Sequence, residues 1–538
     1  MKYIIPVIVV LLLSASVSFA ESKIDGKSLN NANVKQSMNM ALGKGATSNT
    51  ASTKMKNSEV GKGGMVSNKA VIQKSMNMAL GEGATANTGA VTMDGSKVQG
   101  KALNNANVKQ SMNMALGKGA TANTGSITMK DSEVGKGGMV SNKAVIQKSM
   151  NMALGKGATA NMGSVTMDGS KVQGKVLNSA NVKQSMNMAL GKGATANTGS
   201  VTMKKSEVGK GGVVSNKAVI QKSMNMALGK GATANMGSVT MDGSKVQGKV
   251  LNNANVKQSM NMALGKGATA NTGSITMKDS EVGKGGMVLN KAVIQKSMNM
   301  ALGKGATSNM GSVTMDGSKV QGKVLNSANV KQSMNMTLGK GATANTGSVT
   351  IKNSEVGKGG IVSNKAVIQK SMNMALGQGA TANMGSVTMD GSKVQGKVLN
   401  NANVKQSMSM ALGKGATANT GSVTMKNSEV STGGMVLNKA VIQKSMNMAL
   451  GQGATANVGS VTMDGSKVQG KVINNANVKQ SMNMALGKGA TANVGAITLK
   501  DADVSKGALI LNKAVIDKSM NMSLGENSEA NMGSVTLE

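Results

Sequence analysis

Asn30-Asn31-Ala32-Asn33-Val34-Lys35-Gln36-Ser37-Met38-Asn39-Met40-Ala41-Leu42-Gly43-Lys44-Gly45 decides the fold. Asn30, Ala32, Val34, Gln36, Met38, Met40 and Leu42 stand two residues apart, and a period of two places side chains on one face of a β-strand. Met, Ala, Leu and Lys are good helix formers, so helix is the competing reading. Glycine punctuates every such stretch, however, and Val, Thr and Ser fill the positions around it, which favours strands and turns.

The stretch recurs. Ser37-Met38-Asn39-Met40-Ala41-Leu42-Gly43 returns from Ser75, Ser111, Ser149 and Ser185 onward to Ser519, at spacings alternating between 38 and 36 residues. A shorter step lies inside this one. Asn30, Asn49, Asn68, Asn87, Asn104, Asn123, Asn142, Asn161, Asn178 and Asn197 follow one another at 19, 19, 19 and 17 residues, a unit of 74, and the register continues to Asn531. Ala or Gly always stands two positions after the Asn. Gly usually stands four positions before it, as at Gly26, Gly45, Gly64, Gly83 and Gly100, and Asn527 takes that place before Asn531. Gly and then Asn are the residues that best tolerate the left-handed region, so each of these sites reads as a bend.

Such a repeat is the signature of a solenoid. The expected fold is all-β: a parallel β-solenoid of about 28 coils of 17–19 residues, grouped in a 74-residue four-coil super-repeat. Each coil is expected to hold two short strands, the first over Asn-x-Ala-x-Val and the second including Val98 or the Met-x-Met segment. Asp94-Gly95 or Lys130-Asp131 would make the turn, and a Gly-rich arc would close the coil. An Asn at the same place in every coil predicts an amide ladder along the axis, each NH2 donating to the next carbonyl. On this reading the Met-x-Met pairs share the Val34 face and fill the core, where a flexible thioether adapts well.

Residues 1–20 are set apart. Lys2, the apolar run Ile4 to Leu13 and Ser18-Phe19-Ala20 read as a secretory signal peptide with cleavage near Ala20, too short to span a bilayer. Residues 21–25 form a short N-terminal segment, and 26–538 form one continuous solenoid domain. No segment of the mature chain reads as a membrane span. Pro6, Tyr3 and Phe19 are the only proline, tyrosine and phenylalanine, so beyond residue 20 the chain has no aromatic residue, proline, cysteine or histidine. The core must therefore be thin and built from Val, Ile, Ala, Met and Leu. Proline could not donate to the ladders between coils, so its absence suits the stack.

The composition excludes whole classes of function. Without Cys there is no disulfide framework, and without His and Cys the usual zinc ligands and most nucleophile–base pairs are missing. Gly43-Lys44-Gly45 lacks the spacing of a phosphate loop. No catalytic residues and no cofactor are expected, and the chain reads as a non-enzyme. Its net charge of +38 comes from lysine, which suits either a soluble β-surface or the capture of polyanions such as extracellular DNA and acidic polysaccharide.

Gln173-Gly174-Lys175-Val176-Leu177-Asn178-Ser179-Ala180-Asn181-Val182-Lys183-Gln184 resembles the curlin repeat of bacterial curli fibres, S-x5-Q-x-G-x2-N-x-A-x3-Q, with the Gly one place early. Gln99 to Gln110 and Gln247 to Gln258 carry the same pattern, so one coil in four matches closely. The resemblance implies a secreted β-solenoid amyloid of the biofilm matrix, active in adhesion and aggregation, with an outer-membrane exporter and a nucleator as partners. Ala41-Leu42-Gly43-Lys44-Gly45-Ala46-Thr47 is more distantly similar to head repeats of trimeric autotransporter adhesins.

Three functions follow as expectations. The first is a structural subunit of an extracellular amyloid-like fibre, secreted and self-associating head to tail, because coils running from Gly26 to Glu538 carry no separate cap. The second is a non-polymerising cell-surface adhesin or polyanion-binding rod. The third is an exported Cu(I)- or Ag(I)-binding protein using thioethers such as Met38, Met40, Met76 and Met78.

Overall fold

The computed structural model describes residues 17–505 and 507–537. Residues 1–16 of the expected signal peptide lie outside the described residues, and Val17–Ala20 form a strand paired in parallel with Thr53–Lys56. The described residues contain β-strands and turns and no helix, and the parallel β-solenoid expected from the repeat is the observed fold. The chain divides into two compact units, 1–265 and 266–538, each of which is a stack of seven turns.

One turn shows the construction. Lys101–Lys109 is a nine-residue strand, followed by Met112–Leu116, Thr121–Thr124, Ile127–Lys130 and the short Glu133–Val134. The next turn starts at Met139, and every strand pairs in parallel and in register with its counterpart: Asn104 with Asn142, Met112 with Met150, Met129 with Met167. Five parallel sheets therefore form the wall of each unit.

This corrects the coil count. A full turn takes 36 or 38 residues, and fourteen turns replace the expected 28 coils. The 17–19-residue step is half a turn. Asn30 pairs with Asn68, not with Asn49, because Asn49 lies on a different sheet, where it pairs with Asn87. The two halves share the spelling Asn-x-small because both walls meet the same constraint, described below. The alternation of 38 and 36 lies in the arc that closes the turn, which is Gly135-Lys136-Gly137-Gly138 in one turn and only Gln173-Gly174 in the next.

Corners are made by left-handed residues followed by serine. Gln110, Gly125 and Asp131 have φ of 49°, 57° and 46°. The next residues, Ser111, Ser126 and Ser132, turn inward and donate Oγ–H to the carbonyls of Lys109, Thr124 and Lys130 at 2.9, 3.1 and 2.8 Å. Their Oγ atoms also accept from backbone N–H groups of neighbouring turns: Ser126 from Ser164, and the next turn's Ser149 and Ser170 from Ser111 and Ser132, all at 3.3 Å. A corner serine thus satisfies backbone that the bend has pulled out of the ladder.

The core is narrow. Ala115, Ala120 and Ala122 are fully buried between the second and third strands, and in the second unit an all-alanine cluster runs from Ala344 to Ala492. Larger side chains such as Ile127, Met129, Val134 and Ile146 fill the rest. The walls pinch where Gly125 meets Ala106 and Ala144: a Cβ on Gly125 would lie 3.4 and 3.1 Å from their Cβ atoms. This close approach explains the small residue two positions after each half-turn Asn.

Candidate functional site

Three buried amide ladders run inside the wall. In the first, Asn30, Asn68, Asn104, Asn142 and Asn178 each donate Nδ2–H to Oδ1 of the next turn's Asn, at 2.7 to 2.9 Å. In the second the sense is reversed. Asn87, Asn123, Asn161 and Asn197 donate back to Asn49, Asn87, Asn123 and Asn161 at 2.8 to 2.9 Å. The Asn residues grouped from the sequence as one column therefore form two.

The third ladder escaped the sequence reading. Asn77, Asn113, Asn151 and Asn187, each set between two Met, donate to the next rung at 2.9 Å. Asn113 Nδ2 also donates to the carbonyls of Asn123 and Ala86 at 3.0 Å, tying the second sheet to the third. The available signal was a single polar residue kept between two Met in nearly every repeat.

The Met-x-Met pairs are not in the core as expected. Alternation does not continue through Gln36: the left-handed corner residue and Ser37 shift it by one, as a bulge does. Asn77 and Ala79 point inward, while Met76, Met78 and Leu80 point outward and are partly exposed. Met38 and Met40, in the first turn, are 68% and 48% exposed. Each turn repeats this arrangement, so the outer face of the second sheet carries two Met columns and a Leu column.

The curlin-like glutamines also lie away from the core. Gln110, Gln184 and Gln258 are exposed corner residues, each at φ near +49°. Gln99, Gln173 and Gln247 are half-buried in the closing arc, where their backbone N–H groups bond Val60, Val134 and Val208 at 2.8 Å.

Charge is sorted by face. On the fourth sheet, Lys56, Asp94, Lys130, Asp168, Lys204 and Asp242 alternate rung by rung. On the fifth, Lys97, Glu133, Lys171 and Glu207 do the same, with Lys171–Glu207 at 3.9 Å and, in the second unit, Lys319–Glu355 at 3.6 Å. These two faces are close to neutral. The long-strand face is different. Lys101, Lys143, Lys175 and Lys217 point outward, and no long strand contains a carboxylate until Asp517 in the last turn.

Among the described residues no group of three or more His, Cys, Asp or Glu is placed to hold a metal ion. No helix among them is long and apolar enough to cross a membrane.

No family model matches the chain. No curated protein matches it. Among solved structures, the crystal structure of a TibC-catalysed hyper-glycosylated TibA fragment is similar at 10% identity, over 90% of this chain and 100% of that one, with a TM-score of 0.16.

Proposed function

We propose that this chain is a secreted, non-enzymatic structural protein that builds an extracellular amyloid-like fibre of a biofilm matrix. One observation carries the reading: each unit is held together by the same turn-to-turn interface, made of five in-register parallel strands and buried amide ladders. Because the columns repeat, a turn of one molecule carries the pairing surface that a turn of another needs. A head-to-tail contact of this kind is heterologous and does not close. Its repeat is the cross-β spacing, and stacked Asn amides add to it. The curlin-like coils support the same reading and bring an outer-membrane exporter and a nucleator with it.

Electron microscopy of the mature protein after a day at neutral pH tests the fibre. Unbranched filaments that bind thioflavin and give a reflection near ~4.7 Å are expected. Monodisperse monomers at every salt concentration tried would sink it.

The long-strand face, without a carboxylate before Asp517, favours a second reading, a surface rod that binds extracellular DNA or acidic polysaccharide. Affinity should then fall steeply with salt. Replacing Lys101, Lys143, Lys175 and Lys217 by Gln should weaken binding and flatten the salt slope. Binding that is absent at low salt, or unchanged in that variant, excludes it.

A further inference from the structure

The outward face of the second sheet is apolar in every turn: Met112, Met114 and Leu116, then Met150, Met152 and Leu154, and so on. Seven rungs at ~4.8 Å and five residues at ~3.3 Å give each unit a flat strip of roughly 30 by 15 Å. A patch of that size on a soluble protein is commonly functional. The fold does not require it, since the inward Asn and Ala make the core here.

Lysine borders the strip on both sides. Along one edge runs the corner column, with exposed Lys74, Lys148 and Lys222 alternating with Gln. Along the other, in the first unit, runs the loop column Lys44, Glu82, Lys118, Lys156, Lys192 and Lys230, in which Glu82 pairs with Lys118 at 3.4 Å. In the second unit a groove follows the corner edge, floored by Met334, Met372, Met408 and Met446 and bordered by Lys370 and Lys444.

These borders choose among occupants. A second copy laid face to face would set lysine rows against apolar or lysine rows. A soft cation would meet thioethers but sit between two rows of like charge. An anionic amphiphile satisfies both parts, with acyl carbons on Met and Leu and phosphates on Lys. We propose that the Met-x-Met-x-Leu face docks the solenoid onto an anionic phospholipid bilayer, lying flat at the headgroup–acyl boundary. This is independent of the fibre reading and concerns a different face from the polyanion-binding one.

Vesicle flotation of the full mature chain, below any concentration at which it polymerises, tests the proposal. Phosphatidylcholine vesicles with about one third phosphatidylglycerol are compared with pure phosphatidylcholine, and about tenfold stronger partition onto the anionic vesicles is expected. Replacing Met186, Met188, Met224 and Met226 by Thr should lower partition about tenfold, as should Lys156, Lys192 and Lys230 to Gln. Circular dichroism checks that the sheet is retained. Should the Thr variant not fold, Leu at the same four positions keeps the test open, because it preserves the apolar face and should bind like the wild type.

Four results would overturn the proposal. One is no partition onto either vesicle. Another is equal loss when Lys143, Lys175 and Lys217 on the long-strand face become Gln, which would mean charge alone. A third is lipid-free dimers that the Met→Thr variant dissolves, which would mean a second copy. The fourth is binding that requires Cu(I) and is lost in the Leu variant.

Discussion

Gly125 lies directly against Ala144 across the core, so close that a Cβ on the glycine would stand 3.1 Å from the alanine Cβ. Gly125 also has φ of +57°, so a side chain there meets both a crowded wall and a left-handed backbone. Gly125→Ala should cost roughly 2 kcal/mol. The first turn carries Ala51 at φ +51° in the matching corner and bears part of that strain already. Ala51→Gly should stabilise its turn by about 1 kcal/mol. Native-state hydrogen exchange is the suitable measurement, because a repeat array need not unfold in one step. Protection should fall around Gly125 in the first variant and rise around residue 51 in the second.

The third amide ladder contains a natural gap. Asn373 and Asn447 flank Ser409, whose Oγ reaches only the carbonyl of Ala382 at 3.4 Å. Elsewhere an Asn in this column bonds its neighbour and two carbonyls, as Asn113 does. Ser409→Asn should complete the ladder and slow exchange at Met408–Leu412, at about 1 kcal/mol per hydrogen bond gained. Asn113→Ala should do the opposite and cost about 2–3 kcal/mol, since it strands buried partners on both sides.

The repeat made the solenoid, the small core and the Asn ladders readable, because each comes from which residue recurs at which spacing. What it did not reveal was which half-turns stack. Asn30-x-Ala32 and Asn49-x-Ala51 are spelled alike because both flank the pinch, so periodicity halves the true turn. Nor did alternation reveal the facing of Met38, because the corner at Gln36 is made by a non-glycine residue with positive φ. Glycine bends announce themselves in a sequence, whereas Gln and Lys bends do not. The serine after each corner was the mark that could have shown the shift in phase.

Thr337 stands between Ala301 and Ala375 in a column that is otherwise alanine until Ser523 in the last turn. It is fully buried, and its Oγ1 has no hydrogen-bond partner. An unpaired buried hydroxyl costs about 1–3 kcal/mol, whereas its methyl group still packs. Thr337→Val keeps the shape and removes the orphan oxygen, so it should stabilise the second unit by about 1 kcal/mol. Slower exchange at Asn335–Leu338 is the expected readout, and faster exchange would show that the hydroxyl is needed.

The structure moves the titration of Glu429. Ser431 Oγ donates to its Oε1 at 2.6 Å, and Lys393 Nζ lies 3.4 Å away on the preceding turn. The serine hydrogen bond is the largest influence and lowers the Glu429 carboxyl; burial, next in size, opposes it, and the charge and hydrogen bond of Lys393 then add to the lowering, so the group stays below its ordinary value. Because the folded value is the lower one, the ionised form is the stabilised form. The contribution is complete above the unfolded value of about 4.3 and fades as pH falls through the folded value. In the earlier turns that carry a Glu two residues before it, the position of Ser431 is glycine, as at Gly135 and Gly209. Ser431→Gly should therefore raise the Glu429 pKa toward normal while the Lys393 pair persists, and Lys393→Gln should raise it by a smaller step. Carboxyl NMR titration of the two variants resolves the order, and a larger step for Lys393→Gln would reverse the assignment of the main cause.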